Sequence, residues 1–168
     1  MPMIDTSTND KSRDAEVRVS KQIKDSCLRL LMRREHSQKE LLTKLVAKGF
    51  NKNDILPVIE ELANQGWQSD TRYAESYTRH RIQKGYGSLA ISYELKQNGV
   101  NAVNLDNIML AFADSWLELL EQVYHKKYDH NTRLSRSEWA KRCRFLMQRG
   151  FPSTLITALC QHLNIQFS

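Results

Sequence analysis

Several features that define common classes of protein are missing from this chain of 168 residues. It has no run of about 18 consecutive apolar residues, so we expect no membrane span. Its first residues lack the apolar stretch that a secretory signal peptide needs. Cys27, Cys143 and Cys160 are odd in number and fall at apolar helical positions. They favour reduced core thiols in a cytoplasmic protein over a disulfide framework.

Signatures of catalysis and of metal binding are missing as well. The chain has no Gly-x4-Gly-Lys-Ser/Thr phosphate loop, no Gly-x-Ser-x-Gly nucleophile elbow and no His-Glu-x2-His motif. Its five histidines lack the spacing of metal ligands, and Cys-x2-Cys does not occur. We therefore predict a protein that is not an enzyme, with no catalytic residues, no metal and no cofactor.

Positive charge, by contrast, is in excess and unevenly placed. The chain has 25 Lys and Arg against 19 Asp and Glu, a net charge of +6. Residues 135–168 carry a net charge of +4, whereas residues 104–134 carry −2. Such a basic segment is compatible with a nucleic-acid or an acidic-protein partner.

The most informative pattern is a phrase that returns about every 50 residues: a leucine, three residues, a glycine and an apolar residue. Its three copies are Leu45-x3-Gly49-Phe50, Leu95-x3-Gly99-Val100 and Leu146-x3-Gly150-Phe151. The positions six and ten residues after each glycine also agree in apolar character. Self-similarity at a fixed period indicates a tandem array of one structural unit.

Helical periodicity and helix-start signals complete each unit. Ser37 to Glu40 and Ser135 to Glu138 have the form of capping boxes, and no segment alternates as a strand does. We predict an all-α fold, an elongated array of three tandem three-helix units with about nine short helices. The predicted divisions are a disordered tail at residues 1–16 and units at residues 17–66, 67–113 and 114–168.

The second unit also contains a longer signature. It reads Gln65-Gly66-Trp67-Gln68-Ser69-Asp70, then Tyr73-Ala74, Tyr77, Arg81, Gly85-x-Gly87 and finally Leu95-x3-Gly99-Val100. This order of residues resembles that of the bacterial regulatory protein family RecX. The first unit matches the family in Leu30, Arg33, Ser37, Glu40 and Leu41, and the resemblance covers about residues 20–163. Gln68-Ser69 departs from the family's pattern, in which an apolar residue more often precedes the aspartate.

The resemblance implies a specific function. Members of the family bind the RecA recombinase in the groove of its filament on single-stranded DNA. They suppress strand exchange, ATP hydrolysis and the co-protease activity, and so modulate recombination, DNA repair and the SOS response. It implies RecA and single-stranded DNA as partners, with DNA contacted directly or through RecA. We further expect a cytoplasmic monomer.

Two other functions stay open from the residues alone. Two short helices around a glycine turn imitate a helix-turn-helix, which would make the chain a direct DNA-binding protein. A helical array is also typical of HEAT-like scaffolds for unrelated proteins.

The second unit offers two candidate contact residues. On the predicted helix over residues 71–84, Arg81 shares a face with Tyr77, so its guanidinium is expected to pair locally. Arg72 and Arg79 lie on the opposite face and are the candidates for binding a partner or DNA. A merely solvated face is the alternative.

Two positions of the signature have structural interpretations. Asp70 is predicted to be the N-cap of the helix that follows it, accepting a backbone N–H. Gly85 and Gly87 are predicted to form a turn between helices, in preference to a phosphate cradle.

The third unit provides the other candidates. Its second helix has a predicted buried stripe of Trp139, Cys143, Leu146 and Met147. The basic residues expected to project away from that stripe are Lys141, Arg142, Arg144 and Arg149, and Arg136 completes the basic face of this unit. Phe145 lies among them, where it can stack on a base or dock on a partner, or pack beneath the loop at residues 128–134.

Overall fold

The computed structural model describes residues 6–168, and within them the chain is helical apart from turns and one pair of two-residue strands. The described helices are α1 (Thr6–Arg33), α2 (Gln38–Ala47), α3 (Lys52–Asn64), α4 (Asp70–Gln83), α5 (Ser88–Gln97), α6 (Leu105–Met109), α7 (Trp116–Lys127), α8 (Arg136–Gln148) and α9 (Ser153–His162). The strands β1 (Arg133–Leu134) and β2 (Gln166–Phe167) pair in parallel. The prediction of an all-α fold with about nine helices is confirmed for the described part of the chain.

The chain divides into two compact regions between Tyr73 and Ala74. We call residues before this point the N-terminal region and those after it the C-terminal region. In the N-terminal region, α1 and α2 both pack against α3. Their apolar stripes close a core of Ile23, Cys27, Leu41, Leu45, Ile55, Val58, Ile59 and Leu62. Short helices are marginal alone, so this shared burial is what stabilises them.

The repeated Leu-x3-Gly-apolar phrase ends three helices in the same way. After α2, Gly49 has a φ of 99° and the N–H of Phe50 donates to the carbonyl of Leu45 at 3.2 Å. Gly99 and Gly150 have φ values of 83° and 91° and stand in the same hydrogen-bond pattern. This is the Schellman motif, whose left-handed residue is most often glycine. The repeat in the sequence is therefore a repeated helix end.

The core of the C-terminal region lies among its last three long helices. There α7 and α8 both contact α9. The buried residues of this cluster are Leu120, Tyr124, Leu146, Phe151, Ile156 and Leu159. Burial of side chains this large is the main stabilising contribution to the region.

The end of α8 is joined to the start of α5. The N–H of Gly87 donates to the carbonyl of Arg149 at 2.7 Å, and that of Leu89 donates to the carbonyl of Gly150 at 2.9 Å. The last carbonyls and the first N–H groups of helices lack partners in their own helix, so each end satisfies the other. The predicted turn at Gly85 to Gly87 is confirmed, and it also docks α5 on α8 within one compact region.

The first helix begins earlier than the sequence predicts. Its pattern indicates a disordered tail at residues 1–16 and a helix from Val17, whereas α1 begins at Thr6. The side chains of residues 8–18 are exposed. Hydrophobic periodicity marks only turns that pack, so an unpacked helical segment gives no such signal. The rest of the predicted tail, residues 1–5, lies outside the described residues.

Asp70 caps a helix other than the predicted one. Its own helix, α4, begins at Asp70 itself, and the hydroxyl of Ser69 accepts from the N–H of Arg72 at 3.2 Å. The carboxylate of Asp70 instead accepts from the N–H of Gln38, the first residue of α2, at 3.0 Å. It also accepts from the side chain of Gln68 at 2.9 Å. Asp70 thus anchors the start of α4 to the start of α2.

The two predicted capping boxes differ in outcome. At α2, the hydroxyl of Ser37 and the carboxylate of Glu40 satisfy each other's backbone N–H groups, as predicted. At α8, the hydroxyl of Ser135 accepts from the N–H of Glu138 at 3.1 Å. The carboxylate of Glu138 contacts Arg142 at 3.1 Å. Only half of the second box therefore forms.

Candidate functional site

Arg72, a predicted contact residue, is engaged within the N-terminal region. Its Nε donates to the carboxylate of Glu35 at 2.9 Å, and its Nη2 donates to the carbonyls of Gly66 at 2.7 Å and Trp67 at 3.2 Å. The guanidinium therefore ties the α3–α4 connection to the end of α1. Arg79, the second candidate, is exposed on α4.

Arg142 is buried, which corrects the prediction that it projects away from the core. Its side chain donates to the hydroxyl of Tyr124 at 2.7 Å and to the carboxylate of Glu138 at 3.1 Å, and it lies 3.5 Å from the carboxylate of Asp129. Its guanidinium carbon also lies 4.5 Å from the ring centroid of Tyr128. Tyr124 on α7 and Tyr128 just after it hold this cation against the core. Because they lie outside α8, the helical spacing of α8 alone gives no sign of them.

Met147 is mispredicted in the opposite sense, since it is expected to be buried and is exposed. The sequence predicts that it completes the buried stripe of α8, yet it is 54% exposed. Leu146, one position earlier, is fully buried. The buried face of α8 is therefore rotated toward Arg142 and away from Met147.

Three of the predicted basic residues of the third unit remain on the surface. Arg136, Lys141 and Arg144 are exposed. The guanidinium carbon of Arg136 lies 5.3 Å from the ring centroid of Phe167. We call Arg136, Lys141 and Arg144 the α8 basic surface.

Phe145 belongs to a cluster of rings and cations and is half-buried. Its ring meets that of Tyr128 edge-on, with the centroids 5.9 Å apart. The Nζ atom of Lys127 lies 3.6 Å from its centroid, and the guanidinium carbon of Arg149 lies 5.2 Å from it. The ring packs under the start of the loop at residues 128–134, and it also borders a cavity.

That cavity, the basic cavity, has a volume of about 420 Å³ and lies within the C-terminal region. Its floor and walls come from the end of α4, the following turn, α7 and α8. Four of its lining residues are cations, Lys84, Lys126, Lys127 and Arg149, and none is Asp or Glu. The rings that line it are Tyr86, Phe112, Phe145 and Phe151.

Arg149 is held in a fixed position at this cavity. Its Nη1 donates to the carbonyl of Lys84 at 3.1 Å. Its guanidinium carbon lies 4.8 Å from the ring centroid of Tyr86. Arg149 thus lies at the wall of a cavity, whereas the sequence predicts it on an open basic face.

Arg81 meets the expectation that it pairs locally. It donates through Nε and Nη2 to both carboxylate oxygens of Glu94, at 2.9 and 2.6 Å. Its guanidinium carbon lies 3.6 Å from the ring centroid of Tyr86. The Tyr86 ring is therefore in contact with a neutralised arginine, Arg81, and with Arg149, which faces the cavity.

Six charged and aromatic residues that line the basic cavity are not predicted as site residues from the sequence: Lys84, Tyr86, Phe112, Lys126, Lys127 and Phe151. Lys126-Lys127 and Gly85-Tyr86-Gly87 are short local patterns, and neither indicates a site by itself. Only Phe145 on α8 and Arg149, the residue that caps its end, give a signal at this place. The turn after α4 and the end of α7 meet there through the tertiary fold.

Residues 6–168 contain neither a metal-binding cluster nor a membrane-spanning helix. No group of three or more His, Cys, Asp or Glu side chains is arranged to hold a metal ion there. None of the helices in that range is both long and apolar enough to cross a membrane.

Comparison with known proteins decides the family. Residues 24–62, 69–107 and 113–159 match the models of the first, second and third three-helix domains of RecX. The chain belongs to the RecX family. It is 38% identical over 143 residues to the regulatory protein RecX of Legionella pneumophila strain Corby, covering 85% of this chain and 95% of the relative. It is 33% identical over 139 residues to RecX of Halorhodospira halophila, covering 83% and 86%.

Solved RecX structures share the fold. One crystal structure of a regulatory protein RecX has a TM-score of 0.74 at 19% identity, covering 96% of this chain and 81% of that one. RecX from Lactobacillus salivarius has a TM-score of 0.72 at 21% identity, covering 89% and 99%. The α8 basic surface lies in the third matched RecX domain, and Arg79 lies in the second.

Proposed function

We propose that this RecX protein binds the RecA filament on single-stranded DNA and inhibits its activities without catalysing a reaction. The observation that carries the proposal is that all three RecX three-helix domains are matched in order along the chain. Its relatives are named regulatory proteins, which supports a role exerted through binding. The proposed place of action is the cytoplasm, with the chain as a monomer.

The proposed mechanism is steric and electrostatic. The chain lies in the filament groove and contacts more than one RecA protomer, which opposes strand exchange, ATP hydrolysis and the co-protease reaction. The α8 basic surface and Arg79 supply exposed positive charge, which attracts the phosphates of DNA or an acidic protein groove. Buried Arg142 and locally bonded Arg72 do not belong to this surface.

The test is the ATPase activity of RecA on single-stranded DNA, titrated with this protein at several salt concentrations. We expect inhibition at or below a one-to-one ratio to RecA, and weaker inhibition as salt rises because surface charges are screened. Full ATPase activity in a several-fold excess of folded protein would contradict the proposal.

A binding titration with naked DNA and with the assembled filament separates the two other functions. A direct DNA-binding protein would bind single- or double-stranded DNA without RecA and with comparable affinity. A scaffold for an unrelated protein would leave both RecA and DNA unbound. Binding that is much tighter to the assembled filament than to naked DNA supports the proposed function over both.

A further inference from the structure

The basic cavity combines a cationic rim with an apolar wall. Lys84, Lys126 and Lys127 are exposed at the rim, and Arg149 is half-buried beside them. Among the described residues, no carboxylate forms an ion pair with any of these four side chains. Four cations that share one cavity without an internal counter-ion repel one another, and an anionic ligand relieves that repulsion.

The rest of the lining has a different chemistry. Ile82, Phe112, Leu119 and Val123 line it with aliphatic and aromatic surface. An inorganic anion would leave this wall uncovered, and an apolar ligand would leave the cations unpaired. A molecule with an anionic end and a flat apolar body pairs with the cations and also covers the apolar surface.

Arg149 is oriented before a ligand arrives. Its hydrogen bond to the carbonyl of Lys84 uses one of five guanidinium N–H donors. Tyr86 and Phe145 flank the guanidinium at 4.8 and 5.2 Å from their ring centroids, which limits its rotation. A planar fork held in this way suits a phosphate, which it can contact through two parallel hydrogen bonds.

We propose that the basic cavity binds a nucleotide, with its phosphate at the cationic rim and its base against the apolar wall. The volume of about 420 Å³ falls in the range of small-molecule sites. A free nucleotide and a single unit of a DNA strand present the same chemistry to this cavity. The inference goes beyond the proposed function, because it concerns a ligand site of this chain alone and needs no recombinase.

The experiment is calorimetric titration of the full chain, without RecA, using ADP, a short oligo(dT) strand and inorganic phosphate as separate probes. We expect ADP or the strand to bind, and inorganic phosphate to bind more weakly because it cannot cover the apolar wall. Where both bind, competition between ADP and oligo(dT) shows that they share the cavity. Binding of oligo(dT) alone identifies the ligand as a nucleotide within a strand, and binding of ADP alone identifies it as a free nucleotide.

A pair of double variants with equal charge tests the location. Lys84→Glu with Lys126→Glu reverses two cations of the rim. Lys52→Glu with Lys96→Glu makes the same charge change at exposed lysines that do not line the cavity. The rim variant should weaken binding about tenfold or more, since each charge-assisted hydrogen bond is substantial. The control should stay within about twofold of the unchanged chain.

A third variant tests the guanidinium. Arg149→Lys keeps the charge but removes the planar fork, and it should weaken binding several-fold while circular dichroism confirms the fold. Three results would overturn the inference: no binding of ADP or oligo(dT) to the folded chain, inorganic phosphate binding as tightly as either, or equal weakening in both double variants. RecA inhibition is measured separately, so loss of that activity with nucleotide binding intact would reject only the proposed function.

Discussion

Gly150 lies directly against the backbone of Ala90. A Cβ atom at Gly150 would stand 2.5 Å from the nitrogen and 2.9 Å from the Cα of Ala90. No side chain fits there, so the end of α8 can approach the start of α5 only through a glycine. Gly87 repeats the constraint from the other side, since its Cβ would stand 2.6 Å from the carbonyl oxygen of Gly150.

This contact predicts that Gly150→Ala lowers the free energy of unfolding much more than Gly85→Ala does. Both glycines have positive φ, 91° and 87°, so each variant bears the left-handed strain of about 1–2 kcal/mol. At Gly85 the added Cβ meets only ordinary contacts, the nearest at 3.5 Å from Val123. The free energy of unfolding should fall by about 1–3 kcal/mol more in Gly150→Ala than in Gly85→Ala, because α5 and α8 must move apart. Urea denaturation followed by circular dichroism measures both.

Equal losses for the two variants would show that backbone strain alone sets the requirement for glycine. The docking of α5 on α8 would then tolerate a methyl group.

The sequence predicts best those features that depend on neighbouring residues. The Leu-x3-Gly-apolar phrase is a local rule, since the leucine, the glycine and the next residue form the motif among themselves. Ser37 and Glu40 are likewise three residues apart and satisfy each other locally. Three helix ends and one helix start therefore follow from residues that lie within two turns of one another.

Features that depend on distant residues are mispredicted. Asp70 reaches Gln38, which is 32 positions away in the chain. Arg142 is drawn inward by the hydroxyl of Tyr124, which is 18 positions away. A helical wheel places a basic residue by its own helix and carries no information about the aromatic residues that receive it.

The burial of Arg142 predicts that it contributes to stability and not to binding. Arg142→Met keeps much of the side-chain volume but leaves the hydroxyl of Tyr124 and the carboxylate of Glu138 without their donor. A hydrogen bond to a charged group contributes about 1.5–3 kcal/mol, so we expect a loss in that range in the free energy of unfolding. Lys141→Met, at the adjacent exposed position, should change it by less than about 0.5 kcal/mol.

Thermal denaturation of Arg142→Met and Lys141→Met compares their effects on stability. If Arg142→Met melts like the unchanged chain while filament binding falls, the residue acts at the interface after all.

His36 predicts a loss of stability in mild acid. The side chain is 2% exposed, and its burial lowers its pKa below the usual value of 6.5. The hydrogen bond between the ring and the carbonyl of Arg34 and the charge of Glu40 oppose this shift, whereas the charges of Arg34 and Lys44 add to it. As pH falls, the His36 ring therefore binds a proton at a higher pH in the unfolded chain than in the folded one. Stability is full above about pH 6.5 and falls as pH drops through the interval between the unfolded and folded pKa.

The matched pair for this prediction is His36→Gln and His80→Gln, since His80 is exposed on α4. Free energies of unfolding measured between about pH 7.5 and pH 5 should depend less on pH in His36→Gln. His80→Gln should keep the pH dependence of the unchanged chain. Parallel curves for His36→Gln and the unchanged chain would assign the acid sensitivity to other groups.

The α8 basic surface predicts how filament binding depends on salt. Arg136, Lys141 and Arg144 are exposed, and replacing all three with Ala should barely change thermal stability. If they contact phosphates, the triple variant should bind the RecA–DNA filament more weakly. The slope of log binding constant against log salt concentration should also become less steep, because fewer counterions are released. The change should be about 0.7 for each single-strand phosphate that is no longer neutralised. Fluorescence anisotropy of labelled filament DNA over a range of salt gives both quantities.

A control variant separates this local effect from net charge. Lys21, Lys39 and Lys52 are also exposed, and they belong to the N-terminal region. Replacing them with Ala removes the same charge from another surface. Since only contacted phosphates release counterions, this control should keep the slope of the unchanged chain. Equal flattening in the two triple variants would mean that net charge alone attracts the protein to the filament. An unchanged slope in both would remove the α8 basic surface from the interface and leave Arg79 as the remaining exposed candidate.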